Sequence, residues 1–313
     1  MRVGETGVYR VDFSDLSNEG FAATHSVEDI ALFRRSFDIE LAEPFIETPV
    51  AIEVHDADAD GVFDGSDYLL FAAESFEDAF NESGYEDRWT TENVYWIAPD
   101  PALALRMESR AAWHGWDGLT PPVSFRDTLR FEEDEYFLNT PPNDRVDLWY
   151  WTETFDAGGD IHELPFTVHD MAPGSDARIR GRWHGKTSGQ HRIELSIVDG
   201  ASSETDLGVF SFTGISQSMD EDLYQSSAIS SDAFTEGRNH LRAVGLGDAS
   251  PGRSGANLDW FSVAYERLFR AESRRLEFTN AGLEGRLELR VEGFGSSDLA
   301  LYDVTDPDAP VSL

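Results

Sequence analysis

The chain of 313 residues contains no cysteine, which excludes a disulfide framework, a thiolate metal site and a cysteine nucleophile within it. Lysine is nearly missing too: of 24 basic residues only Lys186 is lysine and the other 23 are arginine. No apolar run approaches the roughly 18 residues of a membrane span, and Met1-Arg2-Val3-Gly4-Glu5 lacks the apolar segment of a secretion signal. Positive charge is scarce against 60 acids, so the formal net charge is −36. Nucleic acid, anionic membrane surfaces and acidic substrates would meet a repulsive field. Such acidity with so little lysine fits a protein of high-salt surroundings, where counterions screen repulsion between surface carboxylates. A GC-rich codon bias that swaps Lys for Arg is the competing origin. Hydrophobic residues at 40 % with 12 % aromatics imply a folded chain, long enough for two domains with their own cores.

What is present in abundance is organised in one place. Residues 56–67, DADADGVFDGSD, set carboxylates at loop positions one, three, five, nine and twelve, with Gly61 at position six. This is the ligand spacing of a calcium loop. A hard cation takes six to eight oxygens, alternate residues can point inward at it, and glycine makes the sharp central turn cheaply. Asp56, Asp58, Asp60, Asp64 and Asp67 are the expected side-chain ligands of a structural Ca²⁺, and Val62 offers its carbonyl. The competing reading is an acidic turn of a chain rich in acids; five placed acids with a placed glycine arise by chance in roughly one such chain in a hundred. The flanks, 49–54 and 67–71, are short, apolar and partly β-branched or aromatic, so the expectation is strand, loop, strand rather than the helix pair of an EF-hand. Asp at position twelve, in place of a longer Glu, implies the weaker binding suited to calcium-rich extracellular fluid.

Elsewhere the chain punctuates itself as a mainly β protein. Alternation over 7–13 predicts a strand, followed by a short helix over 14–19 that stops at Gly20. A polar irregular stretch over 74–87 precedes strands at 93–97 and 104–108, and Thr120-Pro121-Pro122 and Thr140-Pro141-Pro142 mark breaks. Short strands at 178–183, 191–197, 207–212, 239–244 and 258–265, separated by glycine and polar turns, predict an antiparallel sandwich of jelly-roll type. Further strands are expected at 275–279, 285–291 and 298–304. The expected domains are a β-rich N-terminal domain over 1–141 carrying the calcium loop, a jelly-roll-like β-sandwich over 142–270, and strands over 271–313 that pack on the first domain or begin another. The chain stops at 306–313 without a polar tail, as if continuing into something longer.

Several constellations are weighed and set aside. His162-Glu163 lacks the second histidine of HExxH, since position 166 is Phe, and Pro165 opposes the helix that motif needs. His169, His184 and His191 match no zinc spacing, and there is no G-x-S-x-G elbow for a serine nucleophile. Carboxylate pairs carry no information when acids are this common. Glu132-Glu133-Asp134-Glu135 reads as a solvated run with an outside claim to further ion ligands. Trp149, Tyr150, Trp151, Trp183 and Trp260 could be platforms for sugar rings, but tryptophan on a strand is more often core, and alternation puts Trp149 and Trp151 on one face.

Taken in order, several segments resemble the non-catalytic N-terminal region of gingipain-like cysteine peptidases, the family that includes the type IX secretion signal peptidase. They are Gly7-Val8-Tyr9-Arg10-Val11 with Leu16 and Gly20-Phe21, the loop 60–68, and Asn93-Val94-Tyr95-Trp96. Phe131-Glu132-Glu133-Asp134, Leu258-Asp259-Trp260-Phe261, Tyr265-Glu266-Arg267 and 301–307 complete them. The resemblance implies a β-rich assembly preceding a caspase-like domain whose thiolate chemistry this chain cannot supply, so no catalytic residue transfers. It implies an accessory region, outside the cell or at its surface, whose first partner is its own catalytic domain beyond residue 313. A free-standing carbohydrate-binding or adhesion module that contacts protein or glycan ligands through the jelly roll is the alternative.

Overall fold

A computed structural model describes residues 1–37, 40, 44–76, 92–111, 119–138, 148–153, 155–156, 159–217, 221–246, 255–279, 287–296 and 299–313. The chain forms two compact units, one from Met1–Gly115 with Ser296–Leu313 and one from Trp116–Gly295.

In the first unit, the antiparallel sheet Arg2–Val3, Asn93–Pro99, Ile30–Phe37, Phe45–Val50 supplies much of the core. A second antiparallel sheet, Gly7–Asp12, Tyr68–Ala73, Glu53–His55, carries the acidic loop as the connection between its last two strands. Alternation in Gly7–Asp12 buries Val11, and the helix Phe13–Asn18 follows at once, ending where Gly20 takes φ +95°. Phe13, Ile30, Leu32, Val50, Ile52, Phe63, Leu69, Phe71 and Tyr95 form one apolar cluster. The expected strand over 49–54 breaks after Val50 because Ile52 turns to a different partner: its amide donates to the Leu105 carbonyl, and its carbonyl accepts from Met107. For the same reason 104–108 is a single bridge at Arg106 rather than a strand, with only Glu108–Ser109 extended. Glu108–Ser109 pairs in parallel with Val311–Ser312, which pairs with Tyr302–Asp303. Asp308 fastens this last segment: its carbonyl accepts the Ala51 amide at 2.9 Å and its carboxylate meets Arg34 at 2.5 Å.

The second unit is an antiparallel sandwich. One sheet runs Phe155–Asp156, Gly255–Leu268, Asp176–Gly185, Leu223–Gln225, with Ser124–Glu132 also paired to Gly255–Leu268. The other runs Ile161–Val168, Gly237–Gly245, Gln190–Val198, Glu204–Thr213. Inward residues alternate along each strand, so Ile179, Ile193, Leu195, Ile197, Phe261 and Val263 meet in one core with Leu164 and Phe166. All five strands expected between 178 and 265 lie within these longer ones. Ile161–Val168 is an unanticipated strand: Pro165, which excludes a helix, is tolerated because among the described residues the strand pairs only with Gly237–Gly245 and sits at the sheet's edge. Ser124–Glu132 was hidden by its four charged residues, which face outward or ride the rim while Phe125 is buried and Leu129 and Phe131 pack on the core.

Two boundaries differ from the sequence expectation. The strand Ser124–Glu132 belongs to the sandwich by its nine register pairs with Gly255–Leu268, so position 141/142 falls inside the second unit. The tail returns to the first unit only from Ser296, and 275–279 is not a strand but follows a turn closed by the Glu272–Arg275 bridge. The described residues 287–291 are not in a strand, 285–286 and 298 lie outside the described residues, and within 299–304 only Tyr302–Asp303 is a strand. The break at 140–142 and residues 77–87 of the irregular stretch also lie outside the described residues.

Candidate metal centre

The acidic loop joins Glu53–His55 to Tyr68–Ala73, whose register pairs His55 with Tyr68 directly across its base. Their rings stack at 4.6 Å. The flanks are therefore strands. Within the loop each aspartate first organises backbone. Asp56 Oδ2 accepts the Gly61 amide at 2.8 Å, and Asp60 Oδ1 accepts the Val62 amide at 2.8 Å. Asp58 Oδ1 accepts the Asp60 amide at 3.3 Å. These bonds wind residues 56–62 inward, with Ala59 at φ +59° and Gly61 at φ +82°, a conformation that a Cβ resists.

The winding brings Asp56, Asp58 and Asp60 together: one carboxylate oxygen of each lies within 4.8 Å of the others. Asp64 and Asp67 are outside this trio. Asp64 is still close enough to feel it, since its carboxyl is pushed up first by desolvation and then by the charges of Asp60, Asp58, Asp67 and Asp56. Asp67, only 2 % exposed, acts as a brace, one oxygen accepting the Ala57 amide at 2.8 Å and the other the Asp64 amide at 2.9 Å. Val62 bridges to Ser26. The Asp56 carboxyl is held below its usual range, chiefly by the Gly61 amide, while its Oδ1 is buried with no protein donor. An all-oxygen donor set, an orphaned carboxylate oxygen and crowded like charge suit a hard divalent cation.

The loop is anchored as well as wound. Gly61 accepts the Val27 amide at 3.1 Å, and the Phe63 amide donates to the His25 carbonyl at 2.9 Å. Phe63 is fully buried, edge-on to Phe13 at 5.7 Å and to Phe21 at 6.4 Å. Such anchoring was invisible in the loop's own pattern, although the apolar residue at position eight is its one signal.

The other sequence candidates resolve differently. His191 Nε2 faces the Thr187 and Gly214 carbonyls, His184 lies buried against Tyr150, and His169 lies between Glu236 and Glu272. Among the described residues the only carboxylate or imidazole groups that converge as metal ligands do are Asp56, Asp58 and Asp60. Tyr150, Trp151 and Trp183 are buried, Trp151 stacked on Phe261 at 5.4 Å, so they are not sugar platforms. Tyr150 and Trp151 are both buried, against the alternation rule, because only Trp149–Tyr150 is a strand and Trp151 turns in to bond Leu258.

No protein-family model matches this chain, and no curated protein matches it in sequence. The structure superposes over its whole length on dimeric latent PorU from Porphyromonas gingivalis, with a TM-score of 0.63 and 16 % identity, spanning 28 % of that chain. Carbohydrate-binding module CBM36 in complex with calcium and xylotriose overlaps 43 % of this chain and 98 % of its own, at TM-score 0.28 and 16 % identity. The CBM36-1 domain of a multidomain xylanase from the hindgut metagenome of Trinervitermes trinervoides overlaps 44 % of this chain and 96 % of its own, at TM-score 0.28 and 16 % identity. These two overlaps are too slight to bear on function; the PorU likeness is one of fold.

Proposed function

We propose that this chain is the non-catalytic, calcium-stabilised accessory region of an extracellular gingipain-like cysteine peptidase, holding or orienting a catalytic domain that follows residue 313. The observation that carries the reading is the superposition of all of this chain on part of PorU. The sequence resemblance to gingipain-like peptidases points the same way, and the absence of cysteine keeps the chemistry out of this chain. Calcium at Asp56, Asp58 and Asp60, with Asp64, Asp67 and the Val62 carbonyl as further oxygens, would pin the hairpin between Glu53–His55 and Tyr68–Ala73. Having no helix pair to move, the ion would act as a staple rather than a switch.

The coding sequence past codon 313 is the direct test. A caspase-like segment with a histidine and a cysteine is expected; a stop codon there would refute the assignment. If the segment is present, the two parts made as separate polypeptides should copurify.

A further inference from the structure

The strand Asp176–Gly185 carries arginine or histidine at every second position, Arg178, Arg180, Arg182 and His184, and Lys186 continues the series. Alternation sends Ala177, Ile179 and Trp183 into the core, and the basic residues to the opposite face. Arg182 and His184 are covered there, but Arg178 and Arg180 are exposed. The register extends this exposed face across the sheet. Arg180 lies opposite Ser262, which lies opposite Arg130 on its other side, and Gln225 completes the row. In the adjoining row Arg178, Ala264 and Thr128 are aligned, and in the next Glu266 lies opposite Arg126.

The face thus presents four exposed arginines over a floor of small residues, with Asp176 and Glu266 at one edge. Arg126 is matched to Glu266 at 3.7 Å, and Arg130 to Glu132 at 2.6 Å with its guanidinium 4.5 Å over the Trp260 ring. Arg178 and Arg180 have no ion pair among the described residues. In a chain of 60 acids and 24 bases, two adjacent arginines left without a carboxylate are a departure from its charge balance.

We infer that this face docks an extended acidic polypeptide segment whose carboxylates recur at every second residue. Two arguments select that occupant. Guanidinium forks match carboxylates in bidentate geometry, and Arg178 and Arg180 are the cations free to offer it. Residues i and i+2 of a strand are about 6.6 Å apart, so a partner in extended conformation sets alternate carboxylates at the same interval as these two arginines. The net charge of −36 does not forbid the contact, because at high ionic strength the field of distant carboxylates fades within a few ångströms while direct pairs persist.

The test titrates the full chain, at roughly 0.5 M KCl where the screening length is a few ångströms and the net charge is screened, with a fluorescent twelve-residue peptide of alternating Glu and Thr. Controls are the Gln-Thr analogue, a peptide of the same composition with its six Glu contiguous, and heparin. The alternating peptide should bind, the Gln analogue should not, the contiguous peptide should bind more weakly, and the double variant R178Q/R180Q should lose about tenfold in affinity. A melting curve of that variant matching the parent's confirms that both exposed positions are dispensable for folding. Absence of binding by the alternating peptide, equal binding by the double variant, or equal binding by the contiguous peptide overturns the inference. So does heparin binding through these arginines without peptide binding.

Discussion

Lowering the pH from 7 to 4 should cost the sandwich unit about 3 kcal/mol through His184 alone. Its ring is 2 % exposed, lies 5.0 Å from the Tyr150 ring and pairs in register with Asn257, itself fully buried. Burial, followed by the positive charges of Arg182, Lys186 and His191, pushes its pKa from 6.5 down to about 4. Arg182 is engaged by the buried carboxylate of Asp259, and the Asp222 carboxyl is pushed up by its own desolvation, so neither acid is free to offset a new cation. The imidazolium is disfavoured only in the folded chain, so the unfolded chain takes the proton first. Stability is fully present above pH 6.5 and is lost as the pH falls toward 4, where a gap of 2.5 pKa units gives about 3 kcal/mol at 1.36 kcal/mol per unit. Urea melts of the parent and His184→Gln from pH 7 to 4 isolate the effect, because carboxylate titrations common to both cancel. The parent should lose about 3 kcal/mol more than the variant over that range. Parallel stability profiles for the two proteins would mean that His184 is protonated or solvated in the fold, and the reasoning would fail.

Three other perturbations have defined outcomes. Calcium at a hundred times its dissociation constant should stabilise the parent by about 2.7 kcal/mol and leave Asp58→Ala and Asp60→Ala unmoved; calorimetric melting that shows equal shifts in all three reduces the loop to an acidic turn. Thermal stability should rise between low and molar KCl, as the screening length drops from about 10 Å at 0.1 M to about 3 Å at 1 M, and a flat series removes the high-salt reading. Asp259→Ala should destabilise the sandwich by about 3–5 kcal/mol in urea unfolding, because it removes the buried carboxylate that neutralises the Arg182 guanidinium, whereas the pair Arg182→Met with Asp259→Leu should recover most of that loss.

What the sequence made legible was local. Short alternating runs between glycine-rich turns located five sandwich strands, and the spacing of residues 56–67 located a loop that the structure winds around its own carboxylates. What escaped was set by distant partners. Asp67 is a ligand candidate by position, and its carboxylate also braces the Ala57 and Asp64 amides, a use that depends on the folded path of the loop. Ile161–Val168 carries a proline that only an edge position excuses, and edge position is a property of the sheet. The turn through Ile52 depends on Leu105 and Met107, which lie some fifty residues away. Arg178 and Arg180 look like any surface arginines until the register sets them beside Ser262 and Ala264, with no carboxylate in either row.

The division of the first unit into Met1–Gly115 and Ser296–Leu313 sets a timetable for synthesis. About 180 residues of sandwich are translated between its two parts, roughly ten to forty seconds of elongation, so the later-encoded unit can close while the earlier one still lacks its last strands. During that interval Arg34 has no Asp308, the Ala51 amide has no carbonyl, and Glu53, at the root of the acidic loop, lacks the Tyr302 hydroxyl that reaches it at 3.0 Å. The earlier-encoded part of the first unit is therefore among the last segments to finish folding, and a nascent chain stalled before residue 296 would carry a complete sandwich and an unfinished unit, a natural target for quality control.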